Sequence, residues 1–249
     1  MAKLIAMVML GMLSLGSTSS WLPSRCSQGP AVELILRAER TEGASDAVME
    51  RTREIVERRI GALGASATVE RQGQSHILVR LGRREDAGPV RALIGSAGRL
   101  EFRLVNMDVT PAQLHAGQAP IGSEVLPIAG EEPDGRIAVQ RRRLIDGRMM
   151  VDARTEYDEQ GQPTVIVRFD EAGSRRFARA TADHVGAQFA IVLDNVVLSA
   201  PVIREPILGG EAQISGSFTV EAANQLAISL RSGPLPIDLV VVEERVPER

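Results

Sequence analysis

Residues 169–236 read FDEAGSRRFARATADHVGAQFAIVLDNVVLSAPVIREPILGGEAQISGSFTVEAANQLAISLRSGPLP. Along this stretch the apolar period switches between that of a helix and that of a strand. Glu171 to Val185 is expected to be helical, with Phe177, Ala178, Thr181 and Val185 on one side and Gly186 as the stop. Phe189 to Leu193 and Val196 to Ser199 are short apolar strands, separated by Asp194-Asn195, a two-residue hairpin signal. Gly209-Gly210 turns the chain into a further strand, Ala212 to Ser215. Thr219 is placed to cap the next helix, Glu221 lies near its positive end, and Ala223, Leu226, Ala227 and Leu230 form its apolar stripe. Ser232-Gly233-Pro234 ends that helix, and Ile237 to Val242 follows as a strand. Helices interleaved with hairpins predict an α+β fold.

Upstream, Ala31 to Ala38 reads as a strand and Ser45 opens a helix through Leu63. Val48, Ile55, Val56, Ile60 and Leu63 recur at three and four residues, and Gly64 stands where a left-handed cap suits it. Strands Ala67 to Arg71 and His76 to Leu81 follow, then a helix from Asp86 to about Ile94 with Pro89 in its first turn, then a strand, Leu100 to Val105. Strand-helix-strand-strand-helix-strand is the order of a ferredoxin-like split unit, which assigns residues 31–106 to a first subdomain. Met107 to about Asp134 is rich in proline and glycine and reads as a loop-rich entry to a second unit. Arg136 to Gln140 and Arg142 to Ile145 are expected as short strands before an Asp146-Gly147 turn. A strand pair then turns at Glu159-Gln160-Gly161-Gln162, with Thr164 to Phe169 as its return strand.

The 249 residues are 44% hydrophobic and 24% charged, the balance of a globular chain. A net charge of -3 and 3% aromatics give no support to nucleic-acid binding. Lys3 is the only lysine, so 28 of the 29 basic residues are arginines. Arg142 and Arg143 could be taken for a phosphate site, but the arginines are interspersed with acids, as on a solvated surface.

Residues 1–30 begin with one cation, continue as the apolar run Leu4 to Leu15 and end in small residues, the pattern of an export signal. An uncleaved anchor ending at Trp21 and Leu22 is the alternative. Cys26, the only cysteine, excludes an internal disulfide; lipidation there is disfavoured by the bulky Arg25 before it.

No catalytic, cofactor-binding or metal-binding set emerges. His76, His115 and His184 are each isolated from the spacings that metal sites use. Ser199, His184 and Asp194 could be imagined as a hydrolytic set, but Ser199 lacks a nucleophile-elbow motif. Asp170 and Glu171 serve better as a helix start than as paired carboxylates, and the glycine pairs match no phosphate-binding loop. An apolar hairpin at Val196-Val197-Leu198 could accept an extended peptide along an open edge, or be an ordinary buried strand.

The segments GRLEFRLVN, DEQGQPTVIVRFDEAGSRRFARAT, AIVLDNVVLSAPVI, GGEAQISGSFTVEAANQLAISLRSGPLP and VVVEERV, together with RRIGALG, resemble the first large periplasmic domain of the SecD family, part of the SecDF protein-export accessory complex. The resemblance implies a ferredoxin-like base of residues 31–106, completed by a terminal helix and strand over 218–246, with a head over 107–217 inserted between them. It also implies a non-enzymatic protein, exported to the periplasm or cell envelope, either free there or membrane-tethered at its N-terminus. Its partners would be exported polypeptide or Sec translocon components; the alternative is a structural adaptor docking onto an envelope membrane complex. RCSQGPAVELILRAE lacks the Gly-Leu-Asp-Leu and Gly-Gly features of SecD at the matching place, and the sequence ends at Arg249, before the family's further membrane helices. The chain is therefore expected to assist export without a proton-driven motor of its own.

Overall fold

A computed structural model of the chain describes residues 32–40, 42–130 and 135–247. The expected export signal, the possible anchor and Cys26 lie outside the described residues. The first five elements are β1 (Val32–Ala38), α1 (Asp46–Ala62), β2 (Ala67–Gln72), β3 (His76–Leu81) and α2 (Ala87–Gly95). Ser45 caps α1 through Val48 N, and Gly64 takes the left-handed conformation (φ 78°) just beyond it.

The next strand departs from expectation. β4 (Leu100–Val105) does not join the first sheet; it is the central strand of another, bonded to β6 (Arg136–Asp146) and β9 (Phe189–Leu193). The place beside β1 is filled by β12 (Leu239–Arg245), from the far end of the chain, giving a four-stranded antiparallel order β12-β1-β3-β2. Burial explains the choice. Leu100, Phe102 and Leu104 of β4 enter an aromatic core, while the first sheet packs an aliphatic one. The strand Leu100–Val105, which the sequence order assigns to the first subdomain, thus belongs to the five-stranded sheet instead.

Between β4 and β6 the chain holds two elements in what reads as loop: α3 (Pro111–His115), closed by a Thr110–Gln113 capping box, and β5 (Ser123–Pro127). The two short strands expected over 136–145 are one strand, with register shifts where it pairs with β4. A single 3-10 turn, Gly147–Met149, leads to β7 (Met150–Tyr157) and β8 (Pro163–Phe169), which with β11 (Glu211–Ile214) make a three-stranded sheet ordered β11-β8-β7.

Helix α4 (Glu171–Asp183) stops two residues earlier than its apolar spacing predicts, so Val185 is exposed rather than packed. The hairpin from β9 to β10 (Val196–Ser199) turns with Asp194 at φ 49° and Asn195 at φ 67°, the paired left-handed conformation expected of such a turn. Helix α5 (Val220–Ser232) is capped by Thr219, but its stripe of Ala223, Leu226, Ala227 and Leu230 packs into the core of β4, β8 and α4. The same helix also packs against α1 and α2 of the first unit, and β12 completes that unit's sheet.

Phe102, Phe169, Phe177 and Phe189 meet within one core, with ring centroids 5.0–6.1 Å apart. Phe102 touches the other three rings and is 1% exposed. Phe102→Ala should cost about 3–5 kcal/mol, since the cavity is walled by other rings. It should lower the urea midpoint, and an unchanged midpoint would show that the rings do not support one another.

Candidate functional site

The polypeptide crosses between the two cores at residues 96–99 and again at 233–238, and one guanidinium binds both crossings. Arg59, in the last turn of α1, is completely buried. It donates to Leu93 O (3.0 Å), Ser96 O, Ala97 O (3.0 Å) and Gly233 O (3.0 Å). These carbonyls belong to the C-terminal ends of α2 and α5 or the residues just past them, where helices leave acceptors unpaired and carry partial negative charge. The neighbouring Arg58 donates to Ser232 O at 3.3 Å. Burial pushes the Arg59 guanidinium down to about 10, against an opposing pull from the Asp194 charge.

Asp194, from the β9–β10 turn, reaches the same crossing. Its carboxylate accepts from Ser96 Oγ (2.8 Å), Gly98 N (3.0 Å) and Arg99 N (2.9 Å). Arg99 forks onto Asp238 at 2.7 and 3.0 Å, and Leu235 N donates to Ala97 O at 2.8 Å. Beside this junction lies a cleft of about 1410 Å³, lined by Arg51, Arg58, Arg143, Arg148, Glu54 and Asp146 among others. A second buried arginine, Arg103, lies between Glu101 and Glu124 in the five-stranded sheet; Arg143 and Arg141 bind the outer oxygens of those acids at 2.7 and 3.3 Å.

The hairpin expected to offer an open edge is closed. The five-stranded sheet is ordered β10-β9-β4-β6-β5, and its outer members meet: Ile128 bridges Val197, and Ala129 N donates to Val197 O at 2.8 Å. Val197 is 0% exposed, packed with Leu126, Val139, Ala190 and Val192. The structure does not assemble Ser199, His184 and Asp194. Asp194 is engaged at the junction, His184 Nδ1 meets Ala180 O at 2.8 Å, and Ser199 Oγ is buried without a hydrogen-bond partner among the described residues. His76 contacts Ser75 Oγ at 3.2 Å and His115 ends α3. Asp170 caps α4 through Gly173 N at 2.6 Å.

An unpaired edge does exist, at β11. Its backbone bonds run to β8, and among the described residues its outer side makes no other backbone hydrogen bond. Exposed apolar residues gather nearby, around the C-terminal end of α4. Ile207 is fixed by its N–H to Thr181 Oγ1 (2.9 Å), with the exposed Leu208 beside it; Gly186 and Ala187 bond to Ile203, just after the exposed Val185, and the exposed Val202 bridges Gln188. No motif in the sequence marks this surface. Its signal is the apolar pair Ile207-Leu208 directly before Gly209-Gly210.

These features define an α+β domain with two large cores, a pinned junction and a short unpaired edge at β11. The SecDF P1 head subdomain profile matches residues 123–237, and that of the SecDF P1 domain N-terminal region matches residues 49–107. The chain belongs to the SecD/SecDF family and matches its P1 domain. The protein translocase subunit SecD of Magnetococcus marinus is 40% identical over 198 residues, covering 77% of this chain and 38% of the relative. That of Acetobacter pasteurianus is 39% identical, covering 86% and 41%. The chain thus spans about two fifths of the length of these relatives. Among solved structures, SecDF in a super-membrane-facing form aligns with a TM-score of 0.70 at 30% identity, covering 91% of this chain and 32% of that one. A second, from a study of SecDF as a membrane component that enhances protein export, aligns with a TM-score of 0.66 at 33% identity, covering 85% of this chain and 98% of that one. Among the described residues no helix is long and apolar enough to cross a membrane.

The junction generates a sharp expectation. Gly98 has φ +79°, and a Cβ there would stand 2.7 Å from Arg59 Nη2. Gly98→Ala should cost about 2 kcal/mol or more through backbone strain and displacement of the guanidinium. Arg59→Lys, with fewer donors on a point-like head, should cost about 2–3 kcal/mol. Because both act on one hub, the double variant should lose less than the sum in urea unfolding. Full additivity would show that they act separately.

Proposed function

We propose that this chain binds extended polypeptide and assists protein translocation, as a base-and-head domain in which β1, β2, β3 and β12 form the base sheet. The observation that carries this reading is the free β11 edge flanked by exposed Ile207 and Leu208. An unpaired edge satisfies the backbone of any sequence, and small apolar contacts add affinity without demanding particular side chains. A protein that meets many different exported chains needs that combination. Membership of a family whose relatives are named protein translocase subunits supports the same reading. The exported location expected from residues 1–30 is part of the proposal, since a chain emerging from a membrane would meet this surface on the far side. The acidic residues that pair with arginine around the junction have structural partners already, so the proposal requires no catalysis.

Photo-crosslinking in cells tests it, with the probe at Leu208, 77% exposed, and a second probe at Val197, 0% exposed, as an internal control. Many adducts at Leu208 that disappear when protein synthesis stops, with none at Val197, are the expected result. One discrete adduct that persists would instead identify a fixed docking partner and overturn the polypeptide reading.

A further inference from the structure

A compact basic groove lies between α4 and β6, on a chain whose net charge is -3. Its volume is about 490 Å³ and its polar walls are Arg142, Arg175, Arg176, Arg179, Asp183 and His184. Arg175, Arg176 and Arg179 share one side of α4 at i, i+1 and i+4, rising about 6 Å along the axis. Arg142 faces them from β6. Arg175 is paired with Glu171, and Arg176 donates to Arg143 O at 3.5 Å. Arg142 and Arg179 have no carboxylate partner among the described residues, and Asp183 is the one acid in the wall.

We propose that this groove docks the domain on an anionic phospholipid surface. The forked guanidinium donors match phosphodiester oxygens, and several cations in so small a space favour a concentrated anion over a single carboxylate. The size suits a headgroup and is short for an extended peptide. The surroundings match the other half of a phospholipid: at the C-terminal end of the same helix, Val185 is 52% and Leu208 77% exposed. Cations bordered by exposed apolar side chains are the chemistry of a membrane interface. Docking through α4 would hold the β11 edge near the bilayer.

Vesicle co-sedimentation of the full chain tests this, comparing phosphatidylcholine vesicles with vesicles that also contain phosphatidylglycerol. The readout is the extra binding that phosphatidylglycerol adds, which sets aside any insertion by the apolar run Leu4 to Leu15. The extra binding should fall with added salt, and Arg142→Gln/Arg176→Gln/Arg179→Gln should reduce it by about a hundredfold, at roughly fivefold per cation. A control with the same charge change, Arg37→Gln/Arg84→Gln/Arg136→Gln, should retain it, and both variants should keep the parent melting temperature because all six positions are on the surface. Equal loss in the control, no phosphatidylglycerol dependence, or binding of a poly-glutamate peptide in place of vesicles would each overturn the proposal. No exported chain takes part in this measurement, so it stands or falls apart from the polypeptide reading.

Discussion

A buried guanidinium is costly to desolvate, and Arg59 is tolerable only because four carbonyls converge on it. The convergence is not local. α1, α2 and α5 all end at this point, and two of them contribute carbonyls that no helix can satisfy internally. One side chain thereby completes two helix ends and ties the outgoing and returning chain segments together. A lysine could place a charge there but could not present a planar fork to acceptors on two sides. Gly98 belongs to the same constraint, because the guanidinium occupies the space a side chain would need.

The path of the chain makes this tie necessary. β1 finds its neighbour β12 about two hundred residues later, with the whole of β4 through β11 between them. Closing so long a loop is entropically slow and gains nothing until the ends meet. A junction that fixes residues 96–99 against 233–238 shortens the remaining search, since β12 begins at Leu239. Asp194 joins the tip of the β9–β10 hairpin to the same place, so the aromatic core and the aliphatic core are oriented by one cluster of polar contacts.

Elements with a local code were legible in the sequence. The Asp194-Asn195 turn, the Thr219 and Ser45 caps and the Leu100–Val105 strand fall where spacing puts them. What was not legible depends on distant partners. β4 satisfies a strand's period equally well in either sheet, and only the position of the phenylalanines, all in one core, decides between them. Arg59 sits in a stripe of ordinary surface arginines, and nothing within α1 shows that two other helices will end against it. β5 was hidden by its prolines and glycines, although its pairing with β6 sets up the closure of the sheet. The hairpin was read correctly as apolar, but its closure by Ala129 depends on a contact almost seventy residues away.

Strand edges then decide where another chain could add. The five-stranded sheet removes its own edges by joining β10 to the segment after β5, and β12 carries Glu243, Glu244 and Arg245 along its outer end. β7 lies under α5, with Thr155 bonded to Asn224 at 2.8 Å. β2 is flanked by ion pairs from Arg71 to Asp46 and from Arg80 to Glu70. β11 has one ion pair, Arg154 to Glu211, and its shortness: four residues are too few to template a growing sheet but enough to pair with a short extended segment. A reversible hold on a moving polypeptide requires just such a limit, because each added backbone pair would slow release. Of the edges with an unpaired outer side, β11 is the shortest, so its grip on an added strand is the weakest.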